Sequence, residues 1–315
     1  MRHNTSLLFC LVGLLCNSIL YSEDYSDLAD DPVSQTELDS NMLPPYFRSL
    51  EADYNWISKS TFTTPEEKGR KIGFTEGDVT LSLVRLYSVG NGFSLGVGYE
   101  QTRIDWKNNE FFNNGNYNRL TLSGFRFTKC TDQWDVRLGF IGRFDTYHID
   151  FSYHTTWDFL FWGRYSWNSW FCDDVGLHFG TIWKTGIDKS WALPIVGIDF
   201  AYSSCLKINL VFPVDLSLVY QINKSWYFVA TNRFWNTRQR LRADEPLSEG
   251  IFEYRNAGID FGLRYESGYF AAGQLHIGST YRDGDIKISN KNDHTIRHNK
   301  FKGAFYFGGE IDLKF

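Results

Sequence analysis

Charged residues recur at alternate positions in several segments, which is the spacing that places side chains on one face of a β-strand. Arg137, Arg143 and Asp145 share one parity in a single segment, and Asp158 and Arg164 share one in the next. The complete set expected to face a common interior is Arg137, Arg143, Asp145, Asp158, Arg164, Arg233, Asp260 and Arg264. Two interpretations stay open: the charges pair and fill the interior of a barrel, or they form a polar constriction for small solutes.

Enzymatic chemistry has little support in the spacing of the histidines. A hydrolase of the outer-membrane phospholipase type needs a serine close to a histidine, with an Asn or Asp that orients the ring. The segment around His178 lacks that serine, and His148 and His154 flank a predicted loop in a scattered set that is unlike a metal site. We therefore predict no enzyme activity, no catalytic residue, no metal site and no cofactor.

The C-terminal segment alternates strictly between apolar and polar residues. Phe307, Ile311, Leu313 and Phe315 share one parity, whereas the intervening positions are polar or glycine. A barrel strand that faces lipid on one side and an aqueous lumen on the other needs this pattern. The ending also resembles the C-terminal strand signal of bacterial outer-membrane barrels, and that resemblance implies that the barrel-assembly machinery is a partner.

The start of the chain predicts export. Residues 1–22 combine a basic beginning, an apolar run and small or polar residues, which is typical of a cleaved signal peptide, and we place the cleavage after Ser22. Cys16 allows the alternative of a lipoprotein, although Leu14 and Leu15 are large for the positions before a lipidated cysteine. No later run is long enough for a membrane helix, so a membrane location requires a barrel.

The amino-acid composition is consistent with a membrane-embedded barrel. Aromatic residues make up 18% of the chain, yet only 43% of residues are hydrophobic and the mean hydropathy is -0.34. Aromatic girdles outside and polar side chains inside produce this combination, although a secreted soluble sandwich could share it. The formal charge of -5 gives no electrostatic basis for binding nucleic acid.

Alternation divides the chain into short strand segments, and short connections alternate with long ones, as in outer-membrane barrels. The predicted long connections are 107–116, 147–154, 184–191, 236–253 and 283–300. Because proline cannot donate to a strand ladder, Pro213 predicts a tight turn between strands 206–212 and 214–222. A barrel with both chain ends on the same side needs an even number of strands, which requires a further strand at 54–62.

The predicted fold is therefore an all-β, transmembrane, antiparallel up-and-down barrel of about 14 strands over residues 51–315, with both ends in the periplasm. Twelve strands follow if the first is dropped and another pair is merged. Residues 23–50 are acidic and lack alternation, which predicts a disordered periplasmic arm. A plug inside the lumen is the alternative for this segment.

A family resemblance lies in the region from Leu193 to Trp226. A Pro-Ile-x-Gly strand, beginning at Pro194, precedes a strand that ends in Phe212-Pro213. This arrangement resembles an uncharacterised bacterial family of predicted outer-membrane β-barrel proteins, over residue 70 to the C-terminus. The resemblance implies a barrel fold and an outer-membrane location but no catalytic residue.

The mature chain retains three cysteines, Cys130, Cys172 and Cys205. In the fourteen-strand topology all three fall at short periplasmic turns. An odd number in an oxidising compartment leaves at least one thiol free or paired with another chain. One hypothesis is a disulfide to a neighbouring envelope protein, and the alternative is unpaired thiols without a role.

Taken together, these patterns predict an integral outer-membrane protein, with lipid as its surroundings, that acts as a passive or structural envelope component or as a pore for small solutes. Two alternatives remain. One is a carrier of hydrophobic solutes that uses residues 23–50 as a plug, as in fourteen-strand fatty-acid carriers. The other is a surface adhesin that acts through segments 236–253 and 283–300.

Overall fold

The structure is a computed structural model, and it describes residues 46–88, 90–151, 153–167, 175–268, 270–281 and 284–315. The predicted signal peptide, Cys16, residues 23–45 of the acidic arm and Cys172 lie outside the described residues. No helix in the described part of the chain is long and apolar enough to cross a membrane.

Sixteen strands and one short 3-10 helix make up the described elements. The strands are β1 (Tyr46–Thr61), β2 (Lys71–Ser88), β3 (Asn91–Trp106), β4 (Asn116–Lys129), β5 (Trp134–Asp145), β6 (Thr155–Trp167), β7 (Val175–Gly186), β8 (Lys189–Ser203), β9 (Leu206–Phe212), β10 (Asp215–Gln221), β11 (Trp226–Arg240), β12 (Ile251–Ser267), β13 (Ala271–Thr280), β14 (Gly284–Ser289), β15 (Thr295–Phe301) and β16 (Phe305–Lys314). The 3-10 helix covers Pro65–Glu67.

Strand pairing closes the sheet on itself. Each strand from β1 to β12 pairs antiparallel with the next, and β16 pairs with both β13 and β1. Fourteen of the described strands therefore form the wall of a barrel, which confirms the count of fourteen over twelve. The two others, β14 and β15, form a hairpin that extends β12 beyond the wall, because β14 pairs with residues Ile251–Arg255 of β12.

The two ends of the barrel differ. At one end, which we call the turn end, lie Tyr46, Phe315 and the short connections that follow β2, β4, β8, β10 and β12, whereas the tight turns that follow β7 and β9 lie at the opposite end. The backbones of Arg48 and Phe315 exchange two hydrogen bonds, of 2.8 and 2.9 Å, so the last residue is fixed to the first strand. At the other end, the loop end, lie the longer connections. The first strand begins at Tyr46, inside the segment expected to be a disordered arm.

Apolar side chains face outward around the wall. The predicted assembly-signal residues illustrate this, since Phe307, Ile311, Leu313 and Phe315 are all exposed. Aromatic pairs form part of a girdle near the turn end, with ring centroids 4.9 Å apart in both Trp134–Tyr165 and Trp226–Tyr265. An apolar outer band with aromatic rims is the surface that a lipid bilayer requires, and the barrel is a transmembrane one.

The connection predicted at 184–191 is wrong in its length. Strands β7 and β8 continue to a tight turn at Ile187 and Asp188, whose φ angles of 46° and 59° fit the two-residue turns of hairpins. The segment 236–253 is likewise partly strand, because β11 reaches Arg240 and β12 begins at Ile251. Within 283–300 lie most of β14 and β15. These strands rise above the bilayer, where alternation between lipid and lumen no longer marks them.

Candidate functional site

The lumen holds a cavity of about 220 Å³ between the turn end and the middle of the wall. Its lining is mainly polar, with serines and threonines from β2, β3 and β4 among the charged groups. Most of the charged groups fall into two sets on different parts of the wall, and Arg126 and Arg264 border the cavity outside both sets. This cavity is the candidate functional site.

One set is an acidic wall on three adjacent strands. It consists of Glu51 and Asp53 on β1, Glu76 and Asp78 on β2, and Glu310 and Asp312 on β16. The carboxylates lie in direct cross-strand register: Asp53 is opposite both Glu310 and Asp78, and Glu51 is opposite Asp312. Like charges placed opposite each other destabilise a sheet, and cations beside the wall offset part of this repulsion, since Arg233 contacts Glu310 and Lys314 lies 3.3 Å from Asp312.

The other set is a basic wall on β4, β5 and β7, made of Arg119, Arg137, Arg143 and Lys184. Glu100 on β3 stands at the junction of the two walls, where it pairs with Arg119 and lies 3.6 Å from Arg143. Buried Asp158 on β6 lies between Arg143 and Lys184, the lysine contact being 3.9 Å. Positive and negative sides therefore face each other across the cavity.

Beyond the basic wall, the lumen contains closely paired groups. Arg164 on β6 binds Asp199 on β8 through two hydrogen bonds of 2.8 and 2.9 Å. His178 on β7 also contacts Asp199, and its other ring nitrogen accepts a 2.8 Å hydrogen bond from Trp162. Both ring nitrogens are thereby occupied by structural partners, and neither is directed at a hydroxyl nucleophile.

A second paired network joins β11 to β12 and β16. Arg233 donates to Asp260 at 2.7 Å and also contacts Glu310 of the acidic wall. The Tyr306 hydroxyl donates to Asp260 at 2.9 Å. This network draws β11 towards β16, although the two strands are not neighbours in the sheet. It therefore narrows the lumen on that side.

Above the cavity, towards the loop end, an aromatic cluster crosses the lumen. The rings of Phe74 on β2 and Tyr254 on β12 stack with centroids 4.2 Å apart. Tyr117 on β4 and Phe252 on β12 stack at 6.5 Å. The buried members are Ile57, Phe62, Ile72, Phe74, Ile104, Trp106, Phe111, Phe112, Tyr117, Trp235, Leu241, Phe252, Tyr254, Ile286, Ile288, Phe301, Ala304 and Tyr306. Because non-neighbouring strands meet here, the cluster obstructs this part of the lumen.

Two buried arginines connect the loop-end segments into a cap, by which we mean connections 107–115, 146–154, 187–188 and 241–250 together with the β14–β15 hairpin. Arg240 donates to the carbonyls of Tyr153, Glu249 and Lys291 at 3.1, 2.9 and 3.4 Å, and it pairs with Asp188. These partners come from four separate connections. Arg240 therefore ties the cap together from one buried position.

Arg238 adds further ties two residues earlier. It donates to the Ile187 carbonyl at 3.0 and 3.2 Å and pairs with Glu253 at 2.8 Å and Asp293 at 3.1 Å. Burial raises the pKa of the Asp293 carboxyl, but the neighbouring Arg238 outweighs this and holds that pKa below its ordinary value. Ile187 has a left-handed backbone, which is costly for a β-branched residue, and its bonds to Arg238 offset that cost.

The cap also closes from the opposite side of the mouth. The Glu245 carboxylate accepts hydrogen bonds from the backbone of Asn113 and Asn114, the latter at 3.1 Å. The backbone of Leu247 donates to the Phe111 carbonyl at 3.0 Å. Connection 241–250 is thus joined to connection 107–115, directly above the aromatic cluster.

The structure brings the predicted inner charges to the lumen side of the wall. Three of them line the cavity, namely Arg137, Arg143 and Arg264. Asp158, Arg164, Arg233 and Asp260 lie in the paired groups described above, and Asp145 stands at the loop end of β5, where it accepts a 2.7 Å hydrogen bond from the Tyr147 backbone. Whether these charges fill the barrel or form a constriction for solutes stays a prediction.

Several other predicted groups have defined places. Cys130 and Cys205 are exposed at the turn end, where they lie in different turns and form no disulfide with a described residue. The His148 and His154 rings stack 5.1 Å apart, and His154 lies 2.6 Å from Asp150. Among the described residues no group of three or more His, Cys, Asp and Glu side chains is arranged to hold a metal ion.

Sequence reasoning missed the acidic wall and the aromatic cluster. The parity rule applied to Val79, Leu81 and Leu83 does place Glu76 and Asp78 inside, so that part of the signal was present. The aromatic cluster could not be recognised in this way, because its members occupy inward-facing positions, where the alternation rule expects polar residues. Arg238 and Arg240 lie in a segment expected to be loop.

Comparison with known proteins gives distant relatives. No family model matches the chain. An uncharacterised protein of Chlamydia pneumoniae is 24% identical over 291 residues, covering 86% of this chain and 88% of that protein. An uncharacterised protein of Chlamydia muridarum is 22% identical over 284 residues, covering 85% and 87%. These relatives agree with the expected resemblance to an uncharacterised bacterial family.

Comparison with solved structures gives two further similarities. An outer membrane channel from Pseudomonas putida F1 has a TM-score of 0.48 and 10% identity, covering 88% of this chain and 98% of that one. A FadL homologue from Pseudomonas aeruginosa has a TM-score of 0.44 and 13% identity, covering 94% of each. The pairing of β16 with β1 is the observation that makes this chain a barrel.

Proposed function

We propose that this protein is an outer-membrane channel for small polar solutes, with a mouth that the cap closes. The turn end would face the periplasm and the loop end the cell exterior, because short turns are periplasmic and long loops external in barrels of this class. Export through the predicted signal peptide is part of this proposal.

The observation that carries the proposal is the division of charge around the cavity. Acidic residues on β16, β1 and β2 face basic residues on β4, β5 and β7 across a space of about 220 Å³. A barrel filled only for stability would place opposite charges next to each other, as the Arg164–Asp199 pair does. Both walls include paired groups, but one wall carries an excess of carboxylates and the other an excess of cations. That imbalance would produce a field across the lumen, which would orient and select charged solutes as they pass.

The aromatic cluster supports a carrier of hydrophobic solutes less well. It offers apolar surface near the mouth, but its own rings fill it, as the 4.2 Å stacking of Phe74 on Tyr254 illustrates. A hydrophobic solute that passed the cluster would then meet the two charged walls. Desolvating those charges against an apolar solute is costly, so we favour polar solutes.

Planar-bilayer recording of the refolded full-length mature protein tests the proposal. We expect stepwise conductance, rare in the wild type and frequent when the cap is weakened by Arg238→Gln with Arg240→Gln. Neutralising the acidic wall with Glu51→Gln and Asp78→Asn should move the reversal potential in a salt gradient towards anions, since fewer cations are attracted.

Neutralising the basic wall with Arg137→Gln should move the reversal potential the opposite way. Arg103→Gln is the matched control, because Arg103 is exposed on the outward face of β3. Folded protein that never conducts, with the cap intact or weakened, would refute the channel. Conductance whose selectivity ignores both walls would refute the role assigned to the divided charge.

A further inference from the structure

Three arginines project from the outer face of the barrel near the turn end. They are Arg48 on β1, Arg85 on β2 and Arg126 on β4, each with the parity of its lipid-facing neighbours. Arg126 also borders the cavity, but its guanidinium lies over the outward-facing Tyr87 ring. Arg48 is opposite Leu83, so it lies diagonal to Arg85 at a Cα separation of about 7–8 Å. Phe93 on β3 stands between Arg85 and Arg126 in the register of the sheet.

Aromatic rings hold two of these guanidinium groups. Arg85 lies 4.9 Å from the Tyr46 ring centroid and 5.0 Å from that of Tyr87, and Arg126 lies 5.3 Å from the same Tyr87 ring. Two cations therefore share one ring, in spite of their mutual repulsion. None of the three arginines forms an ion pair with a described residue. The group is a concentrated positive charge without a protein counterion among the residues that the structure describes.

This cluster is confined to one sector of the wall. Elsewhere in the described strands, the outward positions of the turn-end half are aromatic, aliphatic, small or neutral polar residues. On β5 and β6, for example, these positions hold Trp134, Val136, Phe161 and Tyr165. Cations scattered for solubility would be distributed around the rim, so their gathering on β1, β2 and β4 indicates a ligand.

We propose that the Arg48–Arg85–Arg126 cluster binds the phosphate of an anionic phospholipid in the bilayer leaflet at the turn end. A guanidinium forms bidentate, charge-assisted hydrogen bonds with phosphate oxygens, and aromatic residues mark the headgroup level of a barrel. The cluster faces outward beside the aromatic residues of the turn end, where an anionic lipid headgroup can reach it. The site would hold the first strands, β1 to β4, against the membrane.

Native mass spectrometry of the detergent-solubilised full-length mature barrel tests this site. Phosphatidylglycerol is titrated against phosphatidylcholine, and inorganic phosphate forms a separate arm. We expect phosphatidylglycerol to be retained in preference, with a loss of about fivefold in affinity per arginine, or roughly a hundredfold for Arg48→Gln, Arg85→Gln and Arg126→Gln together.

Arg103→Gln, which removes an outward arginine at the loop end, should leave lipid retention unchanged. Heat-dependent migration on gels verifies that each variant is folded, and the single variants Arg85→Gln and Arg126→Gln serve if the triple variant does not fold. Equal retention by wild type and variants would overturn the proposal. Binding of inorganic phosphate as strong as that of phosphatidylglycerol, or equal retention of both lipids, would overturn it as well.

Discussion

Replacing Arg238 and Arg240 together by glutamine should open the cap. Arg240 has a fully buried side chain that binds four separate connections, and Arg238 holds the β7–β8 turn and Asp293. Glutamine is shorter and neutral, so it can replace few of these bonds. The barrel wall below the cap does not depend on them, and we expect the variant to assemble.

The magnitude follows from the hydrogen bonds and ion pairs that the two substitutions remove. Hydrogen bonds to charged groups contribute about 1.5–3 kcal/mol each, but the carbonyl partners regain water when the cap opens. We therefore take about 4 kcal/mol for the double variant, near the cost of breaking a buried ion pair. That amount moves an equilibrium by about a thousandfold, which is enough to bring a strongly closed cap near to equal populations.

Two measurements detect the change independently of each other. Single-channel recording should show a large rise in the fraction of time spent open, and a protease added to the loop-end side should cleave connection 241–250 in the variant but not in the wild type. Arg240→Lys keeps the positive charge but lacks the planar guanidinium group, so its increase in open time and in cleavage should be intermediate. Arg103→Gln controls for the loss of an arginine elsewhere.

The outcomes distinguish the effect of the arginine hydrogen bonds that hold the cap from the effect of the aromatic cluster that obstructs the lumen. If the folded double variant resists protease as the wild type does and its conductance is unchanged, the two arginines do not hold the cap closed, and their buried hydrogen bonds do not set its stability. If protease cleaves the connection but no conductance follows, the ties are as described and the aromatic cluster alone blocks the lumen. Adding Phe74→Ala would then decide whether the cluster is the remaining barrier.

Three further predictions concern single groups. Asp158→Asn should destabilise the barrel by about 3–5 kcal/mol in denaturant unfolding, because Arg143 and Lys184 lose the buried anion that they share, although Arg143 keeps its contact with Glu100; an effect under about 1 kcal/mol would contradict the pairing. The folded-state pKa of Asp293 is depressed, so the stability that the Asp293 carboxylate adds to the cap is fully present above the ordinary Asp pKa of about 4 and is lost as the pH falls below it. Cleavage of the cap by protease should therefore increase below that pH. Asp293→Asn should remove this pH dependence. Non-reducing gels of isolated envelopes should show a reductant-sensitive adduct that Cys130→Ser with Cys205→Ser weakens, and a monomer band unchanged by reductant would count against the disulfide hypothesis.

The barrel wall could be predicted because the bilayer imposes one rule on every strand that crosses it. Outward residues such as Leu81 and Leu95 must be apolar, and the alternation that results is visible in the sequence. The proline at 213 then indicated the missing turn, and β9 and β10 indeed end and begin on either side of it. Fourteen strands followed from the residues alone.

The rule fails at the loop end, where the aromatic cluster and the cap lie. There Phe74, Trp235 and Tyr254 are apolar yet face inward, and Arg238 and Arg240 are charged yet buried. Their roles depend on contacts between segments that are distant in the sequence, such as Arg240 with Tyr153. Parity carries no information about such contacts, so neither the cluster nor the ties could be foreseen.

The charged residues of the lumen are arranged in two ways, which correspond to the two interpretations given above: filling of the barrel and a polar constriction for solutes. Where Arg164 meets Asp199, opposite charges are neighbours and their hydrogen bonds are satisfied, which is what filling a barrel requires. In the acidic wall, by contrast, Glu310, Asp53 and Asp78 stand in one cross-strand row that continues to Glu100 and Arg119, and Arg233 contacts Glu310 at the other end of the row. Like charges opposite each other lower the stability of a sheet, and the proposed channel would give this row a role beside the cavity.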